Sequence, residues 1–509
     1  MSANVKDRVA QIRAKLDATK AGSTPDKEPQ AFAPIIQLPT ASQAQEAATA
    51  PATAQTQLDQ IAQEVAASNA ESIIEELNAQ WFIAPEGGRV RVFREMIDPE
   101  MGTRALESMS TTDFRALYAN RFVSVMDAAG NVRKINVADL WLRHPSRREY
   151  PKGLALLPGM ATPDGVFNLW RGFAIEPNQG DTKLPLWHLL NVICAGNHSA
   201  LRYLVGWMAH CVQRPGEPAE VAIVMRGGRG TGKSTVGRWM RDIFGAHGMH
   251  LLHTRHLTGN FNAHLRDKCF LFPDEAFFAG DKAGDGVLKG LVTEPTITIE
   301  QKGVDAFEVR NRLKLMMASN SDWVVPAGTD ERRYLVLDVS DIKKQDHSYF
   351  AKLNSHMSGG GLAALLHFLL HIDISKFNIR DVPNTAALAK QKLLSLPPVL
   401  AWLYDRLFVG RVLEHSSGWE PELRRDAVVN DFAEYVRRHG LRHVRTSAAD
   451  VGRALHVVFP TMGDKQASSK DAQGRRPRLW ILPDLADARV QFEREVLSGG
   501  PAGWPEGDE

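Results

Sequence analysis

The chain has 509 residues, with 61 Lys and Arg against 59 Asp and Glu. The net charge of +2 excludes a polycation, so any hold on nucleic acid must come from local patches. A hydrophobic fraction of 44% supports roughly three cored domains at this length, and three cysteines (Cys194, Cys211, Cys269) exclude a disulfide framework.

No apolar run approaches the ~18 residues of a membrane span, and the N-terminus lacks an apolar signal core. A soluble, cytoplasmic protein with no membrane partner is expected. Val5, Val9, Ile12 and Leu16 fall at heptad-like spacing, which predicts a short amphipathic helix over 1–20. From there to about residue 70 Ala, Gln, Thr and Pro dominate, a composition with too little apolar surface to offset ordering entropy. Residues 1–75 are therefore expected as a short helix plus a disordered linker. Residues 76–213 are expected to form a mainly helical associated region, with two helices over 186–213. Strands then alternate with helices, which predicts an α/β core over 214–345. A helical extension over 346–410, interrupted at Pro397-Pro398, leads to a unit over 411–485 and a flexible tail over 486–509.

The strongest motif is Val221-Ala-Ile-Val-Met-Arg-Gly227-Gly228-Arg229-Gly230-Thr231-Gly232-Lys233-Ser234-Thr235. A buried β-branched strand precedes the glycines and an amphipathic helix follows, the context that a phosphate-binding loop requires. Glycines let backbone N–H groups turn inward onto phosphates, and the helix N-terminus adds its positive end. Lys233 can reach the β- and γ-phosphates of ATP, and Ser234 can ligate Mg²⁺.

A second apolar stretch, Cys269-Phe-Leu-Phe-Pro, ends in Asp274-Glu275, 41 residues after Lys233. Asp274 is placed to hold Mg²⁺ and Glu275 to polarise an attacking water. Arg312-Leu-Lys-Leu-Met-Met-Ala-Ser-Asn320 is a further strand with a polar end, where Asn320 can sense the γ-phosphate or orient water; Asn also serves simply as a turn former. Arg332 and Arg333, just before another strand, are candidates for an arginine supplied to a neighbouring subunit's nucleotide, or else part of a solvated charge cluster. Thr-Ile-Thr-Ile and Phe-Glu-Val alternate around Lys302-Gly303, which predicts a β-hairpin. His247, His250, His253 and His256 recur every third residue, but no cysteine or carboxylate completes a shell, so zinc is not expected.

This order of motifs resembles the superfamily 3 helicases of viruses, phages and plasmids, above all the helicase module of phage and poxvirus-type primase-helicases. The resemblance rests on the Walker A loop (Gly227 to Thr235), the Walker B pair (Asp274, Glu275), the hairpin segment and Asn320. It extends to His256-Leu-Thr-Gly-Asn-Phe-Asn-Ala-His264 and Phe167-Asn-Leu-Trp170-Arg-Gly-Phe. It implies an AAA+-like P-loop NTPase core of the ASCE class and a ring, expected as a homo-hexamer. It also implies a hairpin whose Lys302-Gly303 tip grips single-stranded DNA, and Arg332 or Arg333 acting in trans. Residues 1–155 are too short for the primase-polymerase domain that phage relatives often carry, so a separate primase or polymerase is the expected partner.

Residues 424–480 hold 12 Lys and Arg against 6 Asp and Glu. A helix at about 426–439 precedes a second helix opened by Ser447 with Asp450, then a basic loop and a strand, the outline of a winged helix. Lys465, Lys470, Arg475, Arg476 and Arg478 would lie on the wing and neutralise DNA phosphates. The sum is an ATP-dependent helicase on single-stranded or forked DNA, from a phage, prophage or mobile element. Its main rival is an AAA+-like remodelling ATPase, such as a loader or defence ATPase, that does not unwind. An origin-binding protein with an idle P-loop and a small-molecule kinase explain fewer of the motifs.

Overall fold

In the computed structural model of the chain, the described residues are 69–100, 102, 104–126, 132–253, 255–259, 261–275, 282–302, 304–329 and 331–505. The helix expected over 1–20, the linker up to residue 68, Gly303 and the last four residues lie outside them. The chain divides into two units. The described part of the smaller comprises residues 69–73, 120–126 and 132–137, including an antiparallel hairpin. Everything else described belongs to the larger.

The larger unit opens on the last turns of a helix, residues 74–80, which buries Ile74 and Leu77 and leads straight into a sheet. β1 (Trp81–Glu86), β2 (Arg89–Ile97) and β3 (Arg104–Met109) form an antiparallel meander. Gly87 and Gly88, at φ +52° and +74°, make the two-residue turn that pairs Glu86 with Arg89. Positive φ at both turn positions is what a tight hairpin of matching twist needs. The mainly helical N-terminal region is thereby corrected. Trp81-Phe82-Ile83-Ala84 is buried on both faces of β1, so it shows no alternation that would mark it as a strand. α1 (Thr111–Leu117) follows, closed at its start by a reciprocal Ser110–Asp113 capping box. The hairpin of the smaller unit is β4 (Phe122–Met126) with β5 (Val132–Asn136). Next come α2 (Val137–Arg143) and the short parallel pair β6 (Leu154–Ala155) and β7 (Phe167–Asn168). The two helices expected over 186–213 are present as α3 (Lys183–His188), which continues through a π-helical turn to Ile193, and α4 (His198–Gln213).

The centre is a five-stranded, wholly parallel sheet. In chain order it and its connections are β8 (Ala222–Arg226), α5 (Lys233–Phe244), β9 (Gly248–Leu251), α6 (Arg255–Thr258) and β10 (Phe270–Pro273). These lead to α7 (Lys282–Thr293), the hairpin β11 (Thr296–Gln301) and β12 (Val304–Arg310), then β13 (Lys314–Ser319) and β14 (Tyr334–Asp338). The spatial order is β14-β8-β13-β10-β9. A parallel sheet is covered on both faces, so its strands read as unbroken apolar runs. β8 shows how the faces divide. Ile223 and Met225 pack with α4, α5 and the later helix α9, while Ala222 and Val224 pack with α7, β11 and α10.

α8 (His347–His356), α9 (Leu362–His371), α10 (Ala386–Leu394) and α11 (Pro398–Val409) form the helical extension, with Pro398 in the first turn of α11, where its missing N–H costs nothing. The C-terminal part adds β15 (Glu422–Arg424), α12 (Arg425–Arg438), α13 (Ala448–Val458), β16 (Gly463–Gln466) and β17 (Arg478–Ile481). Its antiparallel sheet runs β15-β17-β16, and Ser447 caps α13 as expected. The flexible tail from 486 is corrected. α14 (Leu485–Val496) puts Ala488, Phe492 and Val496 into the core shared by Trp402, Phe432 and Trp480. Their four-residue spacing marks one helix face, and the Gly- and Pro-rich composition starts only beyond it. Among the described residues no helix is long and apolar enough to cross a membrane.

Candidate functional site

The loop between β8 and α5 lies at the C-terminal edge of the parallel sheet, where β8 is flanked by β14 and β13 and β10 ends one strand further on. Gly230 and Gly232 have φ of +75° and +94°, and Gly227 N–H donates to the Ser319 carbonyl at 3.2 Å. Lys233 is buried. Its ammonium donates back to the Gly228 carbonyl at 2.9 Å and to Asn320 Oδ1 at 2.5 Å. Burial holds this ammonium below its ordinary pKa, against the opposing pull of Asp274 and Glu275. Ser234 Oγ donates to Asp274 Oδ1 at 3.1 Å. Lys233, Ser234, Asp274 and Asn320, which span 88 positions of sequence, thus form two hydrogen-bonded pairs side by side, Lys233 with Asn320 and Ser234 with Asp274.

Glu275 stands beside them, exposed, at φ +61°, with its N–H donating to Asp274 Oδ1 at 3.2 Å. Left-handed backbone is unusual for glutamate and is the kind of local strain that clusters at working sites. A cleft of about 500 Å³ opens along α5 from Gly232 and Ser234, between Trp239 and Arg238 on one side and Phe350 and Met357 on the other. The oxygens of Ser234 and Asp274 suit a hard cation such as Mg²⁺, and the loop's backbone with Lys233 suits phosphate.

Arg332 and Arg333 are not in this cluster. They lie at the opposite, N-terminal edge of the sheet, where Ala222 N–H donates to the Arg333 carbonyl. Arg333 pairs with the buried Glu331 at 3.3 Å. Arg332 is exposed, with no side-chain partner among the described residues. The predicted hairpin is present, pairing Ile297 with Val309 and Ile299 with Phe307, and Lys302 is exposed at its turn. On the expected wing, Lys465 is paired with Glu422 at 2.5 Å and Arg478 with Asp464 at 3.3 Å. Lys470, Arg475 and Arg476 are exposed, without side-chain partners among the described residues.

Three features escaped sequence reasoning. His250 approaches Asp274 at 3.6 Å and stacks on Phe272. Arg226, buried at the last position of β8, clamps Asp338 through two bonds of 2.6 Å. Asn262 binds the outer edge of the hairpin, donating to the Thr298 carbonyl and accepting from Glu300 N–H, both at 2.8 Å. Its neighbour Phe261 is left 67% exposed, an unusual position for a phenyl ring. The run around Asn262 stands out in the sequence, but its attachment to the hairpin does not.

Residues 225–333 match a family of unknown function, DUF5906. The chain is 26% identical over 144 residues to the DNA primase-polymerase of Nitratiruptor phage NrS-1, a match covering 28% of this chain and 20% of that protein. The apo structure of the NrS-1 C-terminal region (305–718) aligns with a TM-score of 0.54 at 15% identity, over 79% of this chain and 96% of that one. An A-form apo structure of the same region gives 0.51 at 14% identity, over 77% and 96%. At such identities the likeness is one of fold.

Proposed function

We propose that this chain is an ATP-dependent DNA helicase that serves phage DNA replication, working as a ring in the host cytoplasm. The observation that carries the reading is the two neighbouring bonded pairs, Lys233 with Asn320 and Ser234 with Asp274, at the ends of three adjacent parallel strands. A strand inserted between those bearing the loop and Asp274 is the arrangement of P-loop ATPases of the ASCE class, the class of the AAA+-like core. In this reading the loop from Gly227 to Thr235 cradles the phosphates and Lys233 neutralises them. Asn320, already at Lys233, senses the terminal phosphate. Ser234 and Asp274 would hold Mg²⁺, which when bound screens charge on the phosphates. Glu275 orients and deprotonates water. The cleft between Trp239 and Phe350 takes the base.

Two positions distinguish Arg332 from Arg333. Arg333 is committed to Glu331, whereas Arg332 is free to extend, so Arg332 is the arginine offered to a neighbour. Lys302 at the turn of the hairpin and Phe261, beside the Asn262 that is bonded to the hairpin's edge, present a cation and an aromatic face, a pairing suited to a single-stranded backbone and its bases. The C-terminal order helix, strand, helix, helix, strand, loop, strand fits a winged helix, with Lys470, Arg475 and Arg476 the charges left for duplex phosphates. The relative's description as a primase-polymerase supports a replication role, with priming left to a separate primase or polymerase.

Lys233→Ala is expected to abolish ATP hydrolysis, measured by phosphate release; wild-type rates in that variant would sink the assignment. Strand displacement on forked DNA with 3′ and 5′ tails separates a helicase from an ATPase that remodels without unwinding.

A further inference from the structure

At the N-terminal edge of the central sheet a second cleft, of about 200 Å³, is lined by Glu220, Val221, Thr293, Arg332, Arg333 and Arg380. Three arginines and one glutamate line this small volume; Arg333 is paired with Glu331, which leaves Arg332 and Arg380 as the cations able to turn into it. Planar guanidinium forks match phosphate oxygens in pairs, so the lining suits a phosphate chain. Arg380 is far from the others in sequence, on the segment between α9 and α10. Its backbone is pinned: Arg380 N–H donates to Asn378 Oδ1 at 3.0 Å, and the adjacent Ile379 carbonyl accepts from the Tyr203 hydroxyl. Its head is not pinned. It pairs with Glu220, but the Arg380 side chain remains 67% exposed. An exposed pair of this kind is held weakly and can exchange its carboxylate for another anion.

The anion cannot be one held in the same copy's loop. β8 begins beside Arg333 and ends before Gly227, and its four steps of ~3.3 Å separate the two edges by ~13 Å. We propose that this cleft receives the terminal phosphates of a nucleoside triphosphate bound to a neighbouring copy, and that Arg380 leaves Glu220 to act there beside Arg332. The proposal rests on the ATPase reading above and adds a second trans-acting cation to it.

The test uses the full chain with ATP as the probe. Arg380→Ala and Lys233→Ala are each expected to lose about a hundredfold or more in turnover, the former with unchanged ATP affinity. Mixed in equal amounts and reassembled, they are expected to recover about a quarter of wild-type hydrolysis. Random arrangement pairs an intact Lys233 with an intact Arg380 at roughly one interface in four. A mixture as inactive as its parts overturns the proposal, because damage confined within one copy is not repaired by another. Full turnover in Arg380→Ala alone overturns it as well. If the wild type itself hydrolyses no ATP, the underlying ATPase reading falls and the proposal with it. If the wild type is active and the mixture is not, only the part given to Arg380 falls.

Discussion

Gly232 carries two constraints at once. Its φ of +94° disfavours any L side chain, and a Cβ there would stand 2.7 Å from Phe350 Cε1 and 2.9 Å from His188 Cε1. Gly232→Ala is therefore expected to distort the loop and weaken ATP binding by more than about tenfold, with the fold intact. Titration with a fluorescent ATP analogue measures this, and unchanged affinity refutes it. The partners of Lys233 were legible in sequence because each follows directly on an apolar strand. Asp274 comes after Phe270–Pro273 and Asn320 after Lys314–Ser319, so strand ends alone place them on one edge of a parallel sheet. His250 was not legible. It reaches Asp274 through the pairing of β9 with β10, which sets His250 opposite Phe272, and such register is decided by tertiary packing. Arg380 and Glu220, 160 positions apart, show the same limit.

At the scale of elements, the hairpin and the α/β core were legible while the N-terminal sheet was not. β11 alternates exposed threonine with buried isoleucine, a period of two that announces a half-buried strand. β1 carries no such period, and only Gly87-Gly88 hints at its turn. The hairpin is also tied to that sheet. Arg266 lies over the Phe307 ring and forms an ion pair with Glu86, whose side chain is 2% exposed. Lys302, at the free end of this braced element, is expected to serve DNA and not the nucleotide. Lys302→Ala should lose unwinding while keeping ATPase activity; normal strand separation in a forked-DNA assay would refute the hairpin's role.

For the whole molecule, two interior histidines set a pH limit. Burial pushes both His188 and His210 down to about 4; a bond to the Gly232 backbone opposes the shift for His188, while Lys314 adds to it for His210. Their folded pKa lies below the unfolded value of about 6.5, so protons bind the unfolded chain first. The fold is unaffected by this above pH 6.5 and loses up to about 3 kcal/mol per histidine as the pH falls to 4. Calorimetric melting is expected to show Tm falling through that window, and a flat profile from pH 7 to 4 would overturn the assignment. Near-neutral net charge conceals a similar unevenness at the surface. In the basic C-terminal stretch Lys465 and Arg478 are paired with Glu422 and Asp464, while Lys470, Arg475 and Arg476 have no side-chain partner among the described residues.

The glycine-rich loop and the arginine cleft occupy opposite edges of one sheet, and on the proposed reading this has a geometric consequence for assembly. A contact that carries one copy's cleft to another's loop joins unlike faces, head to tail. Two copies related by a dyad do not make it, and an open row always ends on a loop without an arginine. Only closure completes every site. On the proposed reading, the circle itself is the finished enzyme, and a copy missing from it silences its neighbour.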